Sequence, residues 1–303
     1  MLPVLAAADP VRIGFAVADD VGTAPAVAAE QLGYYKDAGL DVQLSAYRGG
    51  AAAQEAMSAG AADIISYFGA GVGLAVSKGA KEKIVGSASA DALGWHVLAN
   101  GKSSIRDLKD LAGKKVGITV KGSTTDMFAL WAADRAGVQI QTIPLGGGAL
   151  IPSLRSNQVD AIVLWPGLSY KEMETDGARS LIDLGEEMIP TLADIYVASQ
   201  EMIDKRPAEL RATLAAIYKA LGYMKENRAW SLNFLKGYSH EDDAKVNELT
   251  FDKVVLKLPQ DGAVKQEWVE NSLRLAARAW DMPDLAKVDA ASLFTDDFRP
   301  HAR

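Results

Sequence analysis

The sequence predicts an α/β protein of two lobes, and three observations carry that prediction. Glycine-centred loops recur at a constant offset, with Gly39, Gly49, Gly50 and Ala51 returning as Gly137, Gly147, Gly148 and Ala149. Short apolar runs alternate with alanine-rich helical stretches, the order that builds mainly parallel sheets through right-handed crossovers. The length of 303 residues exceeds one domain of about 150 residues and suits two.

Taken in order, residues 11–17 read as an apolar strand closed by the polar turn Asp19-Asp20-Val21-Gly22-Thr23. A helix then starts at Thr23 or Pro25, runs through Glu30 and breaks at Gly33. Residues 40–44 form a second strand, Arg48-Gly49-Gly50 a loop, residues 51–59 a helix capped by Gly60, and residues 63–66 a third strand ending at Tyr67-Phe68. The second half repeats this programme. Its strands are 115–120, 140–143 and 159–164, its helices 127–135 and 150–156, and its loops 121–126 and 146–148. Pro207 opens a last long helix to Arg228, in which Leu210, Leu214, Ile217, Leu221 and Met224 recur at helical spacing and are assigned to the core.

Composition excludes several classes of function. A net charge of −7 with scattered lysines and arginines offers no field for a phosphate backbone, so nucleic acid is not an expected partner. No cysteine is present, which removes disulfides, thiol catalysis and iron–sulfur ligation. Three histidines far apart make a histidine-rich metal site unexpected, and no cofactor is called for. Residues 1–10 read as the end of an export signal with an Ala-x-Ala cleavage pattern, so a periplasmic location is expected; an ordinary loose terminus is the alternative. Gly101-Lys102-Ser103 lacks the glycine that a phosphate loop needs, since His96 stands there.

In open parallel sheets, ligands sit beyond the carboxyl ends of the strands, where loops deliver helix N-termini. Those ends expose unpaired N–H groups with about half a positive charge each and can hold an anion without arginine. The glycine pairs at 49–50 and 147–148 would let backbone approach a ligand closely.

Three stretches carry a resemblance over nearly the whole chain. Gly33-Tyr34-Tyr35-Lys36-Asp37-Ala38-Gly39-Leu40-Asp41-Val42, then Met57-Ser58-Ala59-Gly60-Ala61-Ala62-Asp63-Ile64, then Leu108-Lys109-Asp110-Leu111-Ala112-Gly113-Lys114-Lys115-Val116-Gly117, follow each other in the order seen in the nitrate/sulfonate/taurine type of periplasmic substrate-binding protein, which the chain resembles. The resemblance implies a type II periplasmic-binding fold, a small ligand between the lobes and delivery to an ABC importer. Two crossovers, placed near residues 92–99 and 193–199, would divide the chain into lobe one (10–93 and 197–303, the last part mostly helical) and lobe two (94–196).

Ten residues are candidates for the ligand site. Asp20, beside Asp19, could bond a ligand amine or hydroxyl, or simply close an Asx turn. Arg48, directly before Gly49, could grip a carboxylate or sulfonate with two parallel hydrogen bonds, or lie solvated. Ser123 and Thr124 stand at a helix start, where hydroxyls either cap the helix or reach a ligand. Members of the resembled family often bind through a hydroxyl-rich loop there. Gly147 mirrors Gly49 in the second half. Tyr67, Phe68, Trp95 and Trp165 cluster at strand ends with Tyr196 near the second crossover; together they suit a carbon-bearing ligand, although each alone is more often core.

The expected protein is therefore a monomeric, non-enzymatic binder of a small organic anion (a sulfonate, carboxylate or aromatic acid) that partners an ABC permease. Two alternatives stand beside it: an enzyme on the same fold, such as a chorismate dehydratase-like lyase, and a sensory binder that reports to a membrane receptor.

Overall fold

The computed structural model describes residues 9–300, so the export-like segment at residues 1–8 lies outside the described residues. The chain begins with β1 (Val11–Phe15), α1 (Ala24–Gln31), a single turn α2 (Tyr34–Asp37), β2 (Val42–Ala46), α3 (Gly50–Ser58), β3 (Ile64–Tyr67), α4 (Gly69–Ser77) and β4 (Glu82–Ser89). Residues 90–95 cross to the second lobe. There follow β5 (His96–Ala99), β6 (Lys115–Ile118), α5 (Thr124–Ala136), β7 (Gln141–Pro144), α6 (Leu150–Arg155), β8 (Ala161–Leu164), α7 (Leu168–Glu174), β9 (Arg179–Asp183) and α8 (Leu184–Glu187). Residues 188–193 cross back to β10 (Asp194–Ser199), and α9 (Gln200–Lys205), α10 (Pro207–Glu226), α11 (Arg228–Tyr238), α12 (Ala244–Lys253) and α13 (Gln266–Ala279) follow, before two short helical turns at Pro283–Lys287 and Ala290–Leu293.

The two sheets have the same plan, β2-β1-β3-β10-β4 and β7-β6-β8-β5-β9. In each, the repeated βαβ units give parallel pairs such as Ile13 opposite Ile64 and Val116 opposite Ala161. The strand that follows each crossing, β5 or β10, inserts antiparallel between two parallel neighbours. The mainly parallel, two-lobed architecture expected from the repeat is thus present, with one reversed strand per sheet that the repeat does not contain.

Some boundaries differ from the expected ones. All of β10 pairs in the first sheet, whereas the expected division left residues 194–196 in lobe two; the return crossing precedes Asp194. The C-terminal helices also do more than complete lobe one, because α12 packs on α7 and α13 on both α4 and α5. Lys171 pairs with Glu241 at 2.9 Å and Arg278 with Asp134 at 2.8 Å along these seams.

Strand periodicity explains the core. Ile64 and Ile65 point to opposite faces of the first sheet, one toward α1 and α10, the other toward α4 and α13. The stripe Leu210, Leu214, Ile217, Leu221 and Met224 is buried against the first of these faces, as its spacing predicts. The two crossings touch one another: the carbonyl of Ala90 accepts hydrogen bonds from Thr191 and Leu192, each at 2.9 Å.

Candidate functional site

Loops from both lobes meet at the carboxyl ends of the parallel strands and enclose one cavity. Lobe one contributes Val17 and Asp20 after β1, Gly49 and Gly50 at the start of α3, Ser66, Tyr67 and Phe68 at the end of β3, and Asp194 at the start of β10. Trp95 comes from the first crossing. The second lobe adds Thr119 after β6, Ser123, Thr124 and Thr125 at the start of α5, and Trp165 after β8. The space left is about 30 Å³, room for roughly two water molecules. A larger hollow of about 870 Å³ lies on the outer side of Tyr67, open to solvent and lined mostly by lobe one, through α3, the turn from α4 into β4 and the start of α9, with Lys121 and Gly122 of lobe two at its rim.

Local chemistry fixes each wall. The Tyr67 ring lies flush against backbone: a Cβ on Gly50 would stand 2.8 Å from it and one on Gly71 only 2.3 Å. Phe68 meets Tyr67 edge-on at 4.9 Å, and Trp95 sits between Phe128 at 5.3 Å and Trp165 at 6.3 Å. Trp165 Nε1 donates across the cleft to Asp19 at 3.2 Å, so this indole ties lobe to lobe. Ser123 caps α5 by accepting from Asp126 N at 3.4 Å, and its hydroxyl also lies 2.8 Å from that of Thr125 and 3.0 Å from that of Thr119. N-capping and cavity lining, posed as alternatives, therefore coincide at Ser123.

Eight of the ten expected residues are brought together: Asp20, Gly49, Tyr67, Phe68, Trp95, Ser123, Thr124 and Trp165. Arg48 is not among them; it is exposed on the loop outside Gly49, because the chain turns its glycines inward. Gly147 does not line the cavity either; a Cβ there would come 3.2 Å from the Trp165 ring and 3.6 Å from Val17 of the other lobe. Tyr196 faces the other side of its sheet and packs edge-on to Tyr218 at 6.4 Å. Sequence reasoning missed Asp194, Ser66 and Thr119.

Asp194 changes the electrostatics. Its carboxyl group is in hydrogen-bonding contact with that of Asp20, both are more than nine-tenths buried, and Asp19 lies beside them. Desolvation, resisted by the Gly22 N–H at 2.9 Å, pushes Asp20 up to about 6 from 3.8, and burial with the Asp20 charge lifts Asp194 well above its ordinary value. Among the described residues, no lysine or arginine lines the cavity.

A pH dependence follows. A carboxyl whose folded pKa is raised binds its proton more tightly in the folded state, so its contribution is fully present below pH 4 and lost as pH rises through about 6. The groups facing it are Asp194, Asp19 and the Tyr238 hydroxyl, which donates to the Asp20 carbonyl. For Asp20 the loss is on the order of 3 kcal/mol. Glu82, pushed up to about 7, adds a second loss of the same sign. Urea melts of the ligand-free protein and of Asp20→Asn at pH 4.5 and 7.5 isolate the first: the variant is expected to lose less stability over this interval, and equal losses would remove Asp20 as the cause.

Known proteins share this architecture. A Brucella abortus (strain 2308) protein named as a binding protein is 27% identical over 276 residues, covering 87% of this chain and 84% of its own. The structure of SsuA, the alkanesulfonate-binding protein of Xanthomonas axonopodis pv. citri bound to MOPS, superposes with a TM-score of 0.82 at 20% identity, covering 96% of this chain and 99% of its own. The periplasmic aliphatic sulphonate binding protein SsuA of Escherichia coli superposes with a TM-score of 0.75 at 22% identity, covering 98% and 95%. These likenesses bear out the bilobal periplasmic-binding fold. The family model described as NMT1/THI5 like matches residues 21–229, a span that holds both crossings and the cavity wall from Gly49 to Asp194, and the chain belongs to that family.

Proposed function

We propose that this chain is the solute-binding component of an ABC importer, working as a monomer in the periplasm and handing a small organic molecule to the permease. One observation carries the reading: side chains from both lobes and from a crossing converge on a single cavity at the strand ends. That cavity is far smaller than the roughly 300 Å³ at which small-molecule pockets begin, so loading requires the lobes to part about the paired crossings. A solute touching both walls then favours closure through its differential affinity.

The expectation of an anion sits poorly with this lining. The N-termini of α3 and α5 point at the cavity and attract an anion by about 0.3–1 kcal/mol each. Against them, an anion about 4 Å from one ionised carboxylate meets about 4 kcal/mol of repulsion at an effective dielectric of about 20. The carboxyl pair outweighs the helix ends.

The lyase reading keeps one observation in its favour, since a buried carboxyl pair with one member near 6 is also what general acid–base chemistry uses. Mass spectrometry separates the two readings. Native spectra of the purified chain are expected to show one retained or added solute, recovered unchanged after prolonged incubation, with about 4 kcal/mol of added stability at ~1,000 times its dissociation constant. Chemical conversion of that solute would favour the lyase, and absence of any bound solute or thermal shift across a solute panel would end the binding reading.

A further inference from the structure

The cavity has an unmet electrostatic demand. Asp194 is 7% exposed, lines the cavity and, among the described residues, accepts no hydrogen bond of good geometry from any protein N–H. The indole Nε1 of Trp95, 4% exposed, leans toward it and is itself unpartnered. Asp20 spends one oxygen on Gly22 N and turns the rest of its carboxyl group to Asp194. Even when the two share a proton, one negative charge stays in a water-poor pocket with no protein cation to answer it.

The other walls suit a positive guest. Tyr67, Phe68, Trp95 and Trp165 present aromatic surface, and ring faces attract cations. The hydroxyls of Ser66, Thr119 and Ser123 already engage neighbours, Ser66 accepting from Ala16 N at 2.9 Å and the other two bonding each other at 3.0 Å. Thr124 adds a neutral hydroxyl, so the carboxyl pair is the strongest polar receptor left. Among the described residues no group of three or more aspartate, glutamate or histidine side chains is placed to hold a metal ion, so a bare divalent cation does not fit.

We infer that Asp20 and Asp194 select an organic cation, a protonated amine or amidine carried on an apolar or aromatic body, with the nitrogen against the carboxyl pair and the carbon against Trp95 and Trp165. This rests on the solute-binding reading and narrows it, replacing the organic anion by a ligand of opposite charge. It also assigns the selectivity to a residue, Asp194, that the local sequence does not advertise. Loading such a cation keeps Asp20 ionised, so affinity falls as the solution is acidified below about pH 6.

The test is isothermal titration of the whole chain at pH 7.5 with matched probes: benzylammonium and benzamidinium against benzoate and benzenesulfonate. The cations are expected to bind and the anions not, with a tenfold or greater loss at pH 5 and in Asp194→Asn. Because the ligand-free variant is relieved of a buried carboxyl pair, its melting temperature is expected to equal or exceed that of the parent, which separates lost recognition from lost folding; Asp20→Asn repeats the test at the other carboxyl. Tighter binding of either anion than of its cation overturns the assignment while leaving the solute-binding reading intact. So does undiminished cation binding in both variants, or a natively retained solute that is neutral or acidic. Silence of all four probes also counts against the assignment, and only when joined to the absence of any retained solute does it reach the broader reading.

Discussion

Trp95→Ala is expected to cost about 3–5 kcal/mol of folding stability and to abolish solute binding in the same variant. The side chain is 4% exposed and fills the junction of the crossing with both lobes, edge-on to Phe128 at 5.3 Å and tilted against Trp165 at 6.3 Å. Collapse cannot repair the hole, because Phe128 and Trp165 belong to one lobe's core while Phe68 and Asp194 hold the other wall. Trp95→Phe separates the two losses: it keeps most of the contact and is expected to stay within about 1.5 kcal/mol of the parent, while lacking the N–H aimed at Asp194. Urea midpoints with calorimetric binding read both. A Trp95→Ala protein with the parent's midpoint would show that the crossing does not support the fold.

The second large effect lies away from the cavity. Arg155 on α6 grips Glu172 on α7 through Nη2 at 2.6 Å and Nε at 3.4 Å, and the Glu172 side chain is only 1% exposed. Arg155→Leu leaves that carboxylate buried without its cation, expected to cost about 3 kcal/mol at pH 7, the low end of the usual range because the arginine side chain is half exposed. Desolvation already raises Glu172, with Arg155 pulling it back. Without the arginine its folded pKa climbs further, so the folded state gains protons that the unfolded state lacks and the deficit shrinks toward pH 5. Denaturant melts at pH 5 and 7.5, with Arg155→Leu/Glu172→Gln as the rescue, check this; a deficit that does not change with pH would mean that packing, and not the orphaned charge, is responsible.

What was legible in the sequence is what repeats locally. Strands β1 to β3 of one lobe and β6 to β8 of the other, with the helices between them, carry period-2 and period-3.6 patterns closed by glycine, and residues 11–15, 64–67, 115–118 and 161–164 are strands close to where those patterns put them. Cavity residues at the ends of those strands were legible too, since strand ends and helix starts are where a parallel sheet places its ligand. The rest depends on long-range pairing. Ile195, Tyr196 and Val197 are apolar enough for a strand, yet only pairing with Ile65, Ser66 and Tyr67 on one side and Ile84, Gly86 and Ser87 on the other shows that they enter the first sheet. Asp194 is drawn into the cavity by that same pairing, so no neighbouring residue announces it. Arg48 misled for the converse reason: its place before a glycine pair suggested a grip, but the backbone that turns Gly49 and Gly50 inward leaves the preceding side chain exposed.

The placement of β10 also orders the birth of the molecule. All five strands of the second sheet lie between His96 and Asp183, so that sheet can close as soon as its own stretch has been synthesised. The first sheet cannot: β3 and β4 face each other across an unfilled slot until Asp194–Ser199 arrives to pair with both. The half made first is the half finished last, and through that interval its unpaired strand edges are open to wrong pairing.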